Sequence, residues 1–243
     1  MRNVLVTGGS RGLGFEIACR LAAGGYCAVA IARNTNDALA RAMAQSQDGP
    51  GALRFVPFDL GEVSKIPELV KKLVKELGPI YGLVNNAALG TDGALAMMDN
   101  SKIESLIRLN TLSPIVLTKY VVRRMMAEGG GRIVNVSSIT AFTGYSGLSV
   151  YSATKSSMVG FTRSLAREVG RLGVNVNAVA PGFMDTEMTR GMDEERRNQI
   201  MRRSPLKRFP GLEDVSGTVE FLLGDGAKNI TGAVFTVDAG MTA

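Results

Sequence analysis

Tyr151 and Lys155 stand four residues apart, a spacing that on a helix turns two side chains only about 40° from one another and lets them act on one small volume. A free tyrosine, with a pKa of about 10, holds its proton too tightly to serve as a base near neutrality, and a neighbouring ammonium lowers that value by stabilising the phenolate. The pair therefore predicts a proton-transferring phenol whose pKa Lys155 brings down. Such pairs also decorate many surface helices, so the context decides. Ser138 ends the run Ile133-Val134-Asn135-Val136-Ser137-Ser138, which reads as a strand followed by a loop and the helix that starts near Tyr151. In open α/β sheets ligands bind at the carboxyl ends of strands, where the Ser138 hydroxyl can donate to the same substrate oxygen that Tyr151 protonates.

A second constellation precedes the first predicted helix: Thr7-Gly8-Gly9-Ser10-Arg11-Gly12-Leu13-Gly14. Here Gly8 makes the tight turn, Gly12 lets backbone approach a pyrophosphate, and Gly14 lets helix and strand pack closely, with the helix N-terminus facing the phosphates. Dinucleotide sites that take NAD place an acidic residue at the end of the second strand to accept the ribose 2′-hydroxyl. This chain has Ala32-Arg33-Asn34 there, and Arg11 adds a second cation within the turn. Guanidinium groups suit a 2′-phosphate, so NADP(H) is expected over NAD(H).

The remaining composition narrows the chemistry. The 243 residues include no histidine, which removes Ser-His-Asp hydrolysis, Cys-His proteolysis and the usual histidine zinc sites, and no metal site is expected. Cys19 and Cys27 have no partner at a metal or redox spacing and read as small core residues. The formal charge of +6 favours an anionic partner, which a phosphorylated cofactor and an acidic carrier satisfy as well as nucleic acid. No signal-like or membrane-spanning run is read from the sequence, so a soluble, cytoplasmic protein with no membrane partner is expected.

Elements must position these groups. Short, almost continuously apolar runs at residues 3–7, 28–32, 53–58, 82–85, 132–137, 175–180 and 234–237 alternate with longer helical patterns. Strands buried on both faces read that way, so an α/β fold is expected: a doubly wound, Rossmann-like, seven-stranded parallel sheet flanked by helices, with residues 1–243 as a single dinucleotide-binding and catalytic domain.

Taken together, these motifs resemble the short-chain dehydrogenase/reductase family over nearly the whole length: the glycine turn, Asp59-Leu60, Asn85-Asn86-Ala87-Ala88, Asn110, Ser138, Tyr151-Ser152-Ala153-Thr154-Lys155, and Pro181-Gly182 with Thr186. The resemblance implies a catalytic set of Asn110, Ser138, Tyr151 and Lys155. It implies cofactor contacts from Gly8, Gly9, Ser10, Arg11, Gly12, Leu13, Gly14 and Arg33, from Asp59 and Leu60 at the adenine, and from Asn86, Ala87 and Ala88 beside the central sheet. Tyr151 and Lys155 would also touch the cofactor, and Pro181, Gly182, Met184 and Thr186 would bracket the nicotinamide. Ala88 departs from the glycine the family usually carries.

Asn110 lies in the helical pattern at residues 101–127, and Pro114 four residues on has no amide hydrogen for the Asn110 carbonyl. In the family an asparagine there binds a water that links the catalytic lysine to solvent; a structural kink is the alternative. The stretches at residues 175–186 and 230–241 resemble bacterial 3-oxoacyl-[acyl-carrier-protein] reductases, which implies a 3-oxoacyl thioester substrate, fatty acid biosynthesis, acyl carrier protein as a possible partner, and a homotetramer. Where such reductases carry carrier-docking arginines this chain has Gly129 and Leu172, with Arg132 and Arg171 adjacent. An acyl-CoA, a sugar or polyol, or another ketone stays open as substrate. Residues 190–208, rich in arginine and methionine, read equally as a substrate lid and as a solvated amphipathic helix. The rival classes are a nucleic-acid-binding module, unsupported by any groove-reading motif, and a catalytically silent cofactor sensor, which intact Ser138, Tyr151 and Lys155 oppose.

Overall fold

A computed structural model describes residues 1–184 and 194–243. Seven strands, β1 (Asn3–Thr7), β2 (Cys27–Ala32), β3 (Ala52–Pro57), β4 (Ile80–Asn85), β5 (Gly131–Val136), β6 (Val174–Pro181) and β7 (Val234–Val237), form one sheet in the order β3-β2-β1-β4-β5-β6-β7. Every pairing in it is parallel. The helices are α1 (Gly12–Ala23), α2 (Asp37–Gln45), α3 (Ile66–Leu77), α4 (Asn100–Ile107), α5 (Ser113–Ala127), α6 (Ser149–Val169), α7 (Glu194–Arg203) and α8 (Leu212–Leu223). This is the doubly wound α/β architecture that the apolar runs imply.

Alternation along each strand divides the core into two layers. Leu5, Val29, Ile31, Leu83, Ile133 and Val176 face one side, where Leu69 and Leu73 of α3, Leu117 and Val121 of α5, and Leu165 of α6 cover them. Val4, Val6, Ala28, Ala30, Val84, Val134 and Val179 face the other, under Ile17 and Leu21 of α1 and Val215 and Val219 of α8. Burying a side chain of this size contributes about 1.5–3 kcal/mol, so both helical layers are needed to hold the sheet. Cys27 is buried in the first layer and Cys19 is half-buried beside the second, its thiol pushed up to about 11 by burial, as fits a packing role.

The strand order reverses direction between β1 and β4, leaving a crevice above their carboxyl ends. The helical pattern at residues 101–127 is interrupted: α4 passes through a π-helical turn at Arg108–Leu112 before α5. There the Ser113 N–H donates to the Arg108 carbonyl, five residues back, immediately ahead of Pro114. Among the described residues no helix is long and apolar enough to cross a membrane.

Candidate active site

The glycine turn joins β1 to α1. Gly8 (φ +67°) and Gly12 (φ +54°) take left-handed conformations that glycine adopts without strain. Gly14 is required sterically, because a Cβ there would run into the Gly8 carbonyl and the Asn86 side-chain amide. Gly9 has a role that motif spacing does not reveal: a Cβ would stand 2.8 Å from the Ala30 methyl, so this glycine lets the turn lie on β2. Around Gly12 a Cβ would meet nothing within 4 Å, which leaves this side of the turn open.

Residue choice at α1 suits an anion. Its N-cap, Arg11, makes no side-chain capping bond, and the first turn has no acidic residue. The N–H groups of the first turn and the positive end of the helix dipole thus meet no carboxylate from that turn and match a pyrophosphate. Arg33, in the loop after β2, is exposed, as is Arg11. Asp59 is exposed at the end of the β3 connection and accepts from the Gly61 N–H at 2.8 Å; Leu60 is buried and belongs to the core. The donor set therefore fits a dinucleotide with a phosphorylated ribose.

The β1 and β4 ends are fastened by Thr7. Its hydroxyl donates to the Val84 carbonyl and accepts from the Asn86 and Ala87 N–H groups at 2.9 and 3.0 Å, while the Asn86 side-chain amide donates to the Thr7 carbonyl. Asn86 and Ala87 consequently sit beside the glycine turn. Ala88 follows without a positive φ, so its methyl introduces no backbone strain.

Tyr151 and Lys155 both lie on α6, with the Lys155 Nζ 5.7 Å from the Tyr151 ring centre. Two bonds hold α6 to the end of β5. The Ser137 hydroxyl donates to the Lys155 carbonyl at 2.9 Å, and the Lys155 Nζ donates to the Val136 carbonyl at 2.9 Å. Ser138 follows β5; its hydroxyl accepts from the Thr140 N–H and faces the Tyr151 phenol closely enough to lower its pKa. The three groups named from sequence are thus brought together.

Their electrostatics differ from the sequence expectation. Burial pushes the Tyr151 phenol up to about 12, with the Ser138 hydroxyl pulling it part of the way back. Burial likewise pushes Lys155 down to about 8. Removing a charged form from water opposes it whichever sign it carries, and here that effect outweighs any help the ammonium gives the phenolate. Near neutrality the phenol therefore carries its proton.

Asn110 is buried in the π-helical turn. Its side-chain amide donates to the Leu89 carbonyl at 2.8 Å and to the Thr154 hydroxyl at 3.2 Å, and its Oδ1 accepts from the Leu89 N–H at 2.8 Å. Thr154 in turn donates to the Tyr151 carbonyl at 2.7 Å. Asn110 thus ties the segment after β4 to the first turns of α6. Thr154, Ser137 and Thr7 are positioning residues that the sequence motif contains but does not single out.

Pro181 ends β6 and Gly182 and Met184 follow it; a Cβ on Gly182 would stand 2.8 Å from the Asp238 backbone. Phe183 packs edge-on against Tyr145 with ring centres 5.4 Å apart. Thr186, and residues 190–193 of the expected lid, lie outside the described residues. Within that segment Glu194–Arg203 form α7, whose exit is tied down by the buried Ser204, donating to the Ala239 carbonyl at 2.7 Å. Arg197 lies over the Phe209 ring at 5.4 Å, beside a groove of about 390 Å³. Arg132 is drawn away from a docking role: it is half-buried, donates to the Gly131 carbonyl and lies 5.9 Å from the Tyr81 ring. Arg171 is exposed.

Comparison with known proteins agrees with this geometry. The family model described as short chain dehydrogenase matches residues 2–197. The 3-oxoacyl-[acyl-carrier-protein] reductase FabG of Escherichia coli is 36% identical over 98% of this chain and 96% of its own length. The human 3-oxoacyl-[acyl-carrier-protein] reductase is 39% identical over 97% and 96% respectively. A gluconate 5-dehydrogenase from Burkholderia cenocepacia, solved with NADP and tartrate, superposes with a TM-score of 0.94 at 27% identity, covering 99% of this chain and 95% of that one.

Proposed function

Because the chain belongs to the short-chain dehydrogenase family, we propose that it is an NADP(H)-dependent reductase that converts the ketone of a 3-oxoacyl thioester to an alcohol, acting on acyl carrier protein conjugates. The observation that carries the reading is the meeting of Tyr151, Lys155 and Ser138 at the carboxyl end of β5, with the phenol buried and the lysine amine held by the Val136 carbonyl. A phenol that holds its proton at neutrality can give it to a carbonyl oxygen, and the same group takes it back in alcohol oxidation.

When bound in this site, the dinucleotide would supply a hydride for the carbonyl carbon. The α1 N-terminus with Gly8 and Gly12 would receive its pyrophosphate, Arg11 and Arg33 its 2′-phosphate, and Pro181 to Met184 its nicotinamide end. Ser138 and Tyr151 would both donate to the substrate oxygen, stabilising charge as it develops, and Tyr151 would pass its proton to that oxygen. Lys155, held by the Val136 carbonyl, would orient the nicotinamide ribose and resupply the proton, with Asn110 keeping the route from solvent.

Support for the thioester is the naming of the Escherichia coli and human relatives, over nearly the whole chain. The Burkholderia gluconate 5-dehydrogenase favours a second reading, a keto sugar acid as substrate. A homotetramer and a cytoplasmic location belong to the same proposal. Ile107, Leu112 and Met126 around α4 and α5, and Phe221 on α8, are exposed apolar side chains that such an assembly would cover. NADPH absorbance loss with acetoacetyl-acyl carrier protein, acetoacetyl-CoA and 5-ketogluconate separates the readings. The carrier thioester is expected to be turned over with the highest kcat/KM, and preference for the sugar acid would replace the first reading with the second.

A further inference from the structure

Asn36 uses both ends of its side chain, and the two bonds do different things. Its Oδ1 accepts from the Leu39 N–H at 2.9 Å and caps α2. Its Nδ2 donates to the Ser10 carbonyl, in the glycine turn 26 residues earlier, at 2.6 Å. Aspartate and serine cap a helix as well as asparagine does, so the cap alone does not call for an amide. The bond to Ser10 does, because it needs a donor.

The Ser10 carbonyl and the Arg11 N–H belong to one planar peptide unit, so fixing the first fixes the second. Arg11 leaves that unit in extended backbone, φ −156° and ψ 168°, as the N-cap of α1. Arg33 stands in the same short loop as Asn36, between the end of β2 at Ala32 and the start of α2 at Asp37. One side chain thus straps the loop that bears Arg33 to the turn that bears Arg11. We infer that Asn36 is a positioning residue for cofactor choice: by holding these two exposed arginines at a fixed separation it sets the preference for a ribose 2′-phosphate. The inference rests on the NADP(H) reading above.

The test compares adenosine 2′,5′-bisphosphate with 5′-AMP, two probes that differ by the 2′-phosphate, by titration calorimetry on the wild type and on Asn36→Ser. Serine keeps a cap and adds no charge but has no amide to reach Ser10. The bisphosphate is expected to bind the variant about three- to ten-fold more weakly, the range for loss of one ordering hydrogen bond, with 5′-AMP affinity and the melting temperature little changed. Asn36→Thr, also a cap, repeats the measurement should the serine variant fold poorly. An unchanged ratio of the two affinities, or equal weakening of both probes, overturns the inference while the wild-type preference for the bisphosphate stands. A wild type that binds both probes equally overturns the NADP(H) reading and the strap with it.

Discussion

Replacing Lys155 by methionine should make the fold more stable at neutral pH while removing its activity. Lys155 is only 4% exposed, and burial pushes it from the ordinary 10.5 down to about 8. Between those values the unfolded chain holds a proton that the folded chain has shed, so stability rises with pH from about 8 to 10.5. Below pH 8 both states are charged there, and the fold bears the full cost of the buried ammonium. At 1.36 kcal/mol per pH unit that cost is about 3 kcal/mol. Methionine has a similar volume and no charge, but it leaves the Val136 carbonyl one donor short, a loss of about 1 kcal/mol. The expected net gain at pH 7 is therefore about 2 kcal/mol, shrinking to nothing and then reversing as the wild type recovers towards pH 10.5. Tyr151 adds an opposite trend only above pH 10, where the unfolded phenol ionises before the folded one at about 12. Urea unfolding midpoints from pH 6 to 10, at one protein concentration, measure this. A wild-type midpoint that stays flat between pH 8 and 10, or a methionine variant less stable than wild type at pH 7, would refute the reasoning.

Tyr151→Phe should abolish reduction and leave NADPH binding close to wild type, as read by cofactor fluorescence; retention of more than a few per cent of kcat would remove the phenol from the proton path. Arg33→Asp should move the NADPH-to-NADH ratio of kcat/KM towards NADH, by charge repulsion with the 2′-phosphate and acceptance of the ribose hydroxyl, and an unmoved ratio would count against Arg33 as the discriminating cation. Gly14→Ala should destabilise the fold by about 1–3 kcal/mol and raise the KM for NADPH, because the new methyl collides with the Gly8 carbonyl and Asn86. A melting temperature equal to wild type would show that the turn yields without effect.

Much of the fold was legible because a parallel sheet buried on both faces leaves a run of apolar residues for each strand. The runs at residues 3–7 and 234–237 coincide with β1 and β7, and the others differ from the observed strands only at their ends. At β4 the sequence run began at Gly82, yet pairing with β1 starts from Ile80 across an irregularity at Asn3 and Val4. Helix α1 begins inside the glycine turn, at Gly12, earlier than apolar periodicity alone marks it. Proline at 114 signalled an opened helix, but the form it takes, a π-helical turn that turns the Asn110 side chain onto Leu89, depends on a partner 21 residues away.

The site was legible as a set of residue types and hidden as a set of bonds. Spacing shows that Tyr151 and Lys155 share a face; it carries no information on burial, and burial decides both of their pKa values. Nor does spacing show why two asparagines occupy otherwise apolar strands. Asn85 and Asn135 are partners in the register of β4 and β5, and the Asn85 amide donates to the Asn135 Oδ1 at 2.8 Å and to the Thr118 hydroxyl at 2.9 Å. Asn135 donates onward to the Thr162 hydroxyl at 2.8 Å, so one buried polar chain runs from α5 through two strands to α6. The Asn85 Oδ1 has no partner in that chain, a cost that an apolar pair would not incur. What an apolar pair lacks is direction. Hydrophobic contact tolerates a helix sliding along a sheet, whereas amide-to-hydroxyl bonds fix both α5 and α6 in register with β4 and β5. Asn110 stands at the entry to α5 and Tyr151 and Lys155 at the start of α6, so the register held by the buried chain is also the one in which Asn110 meets Thr154 and Lys155 meets the Val136 carbonyl.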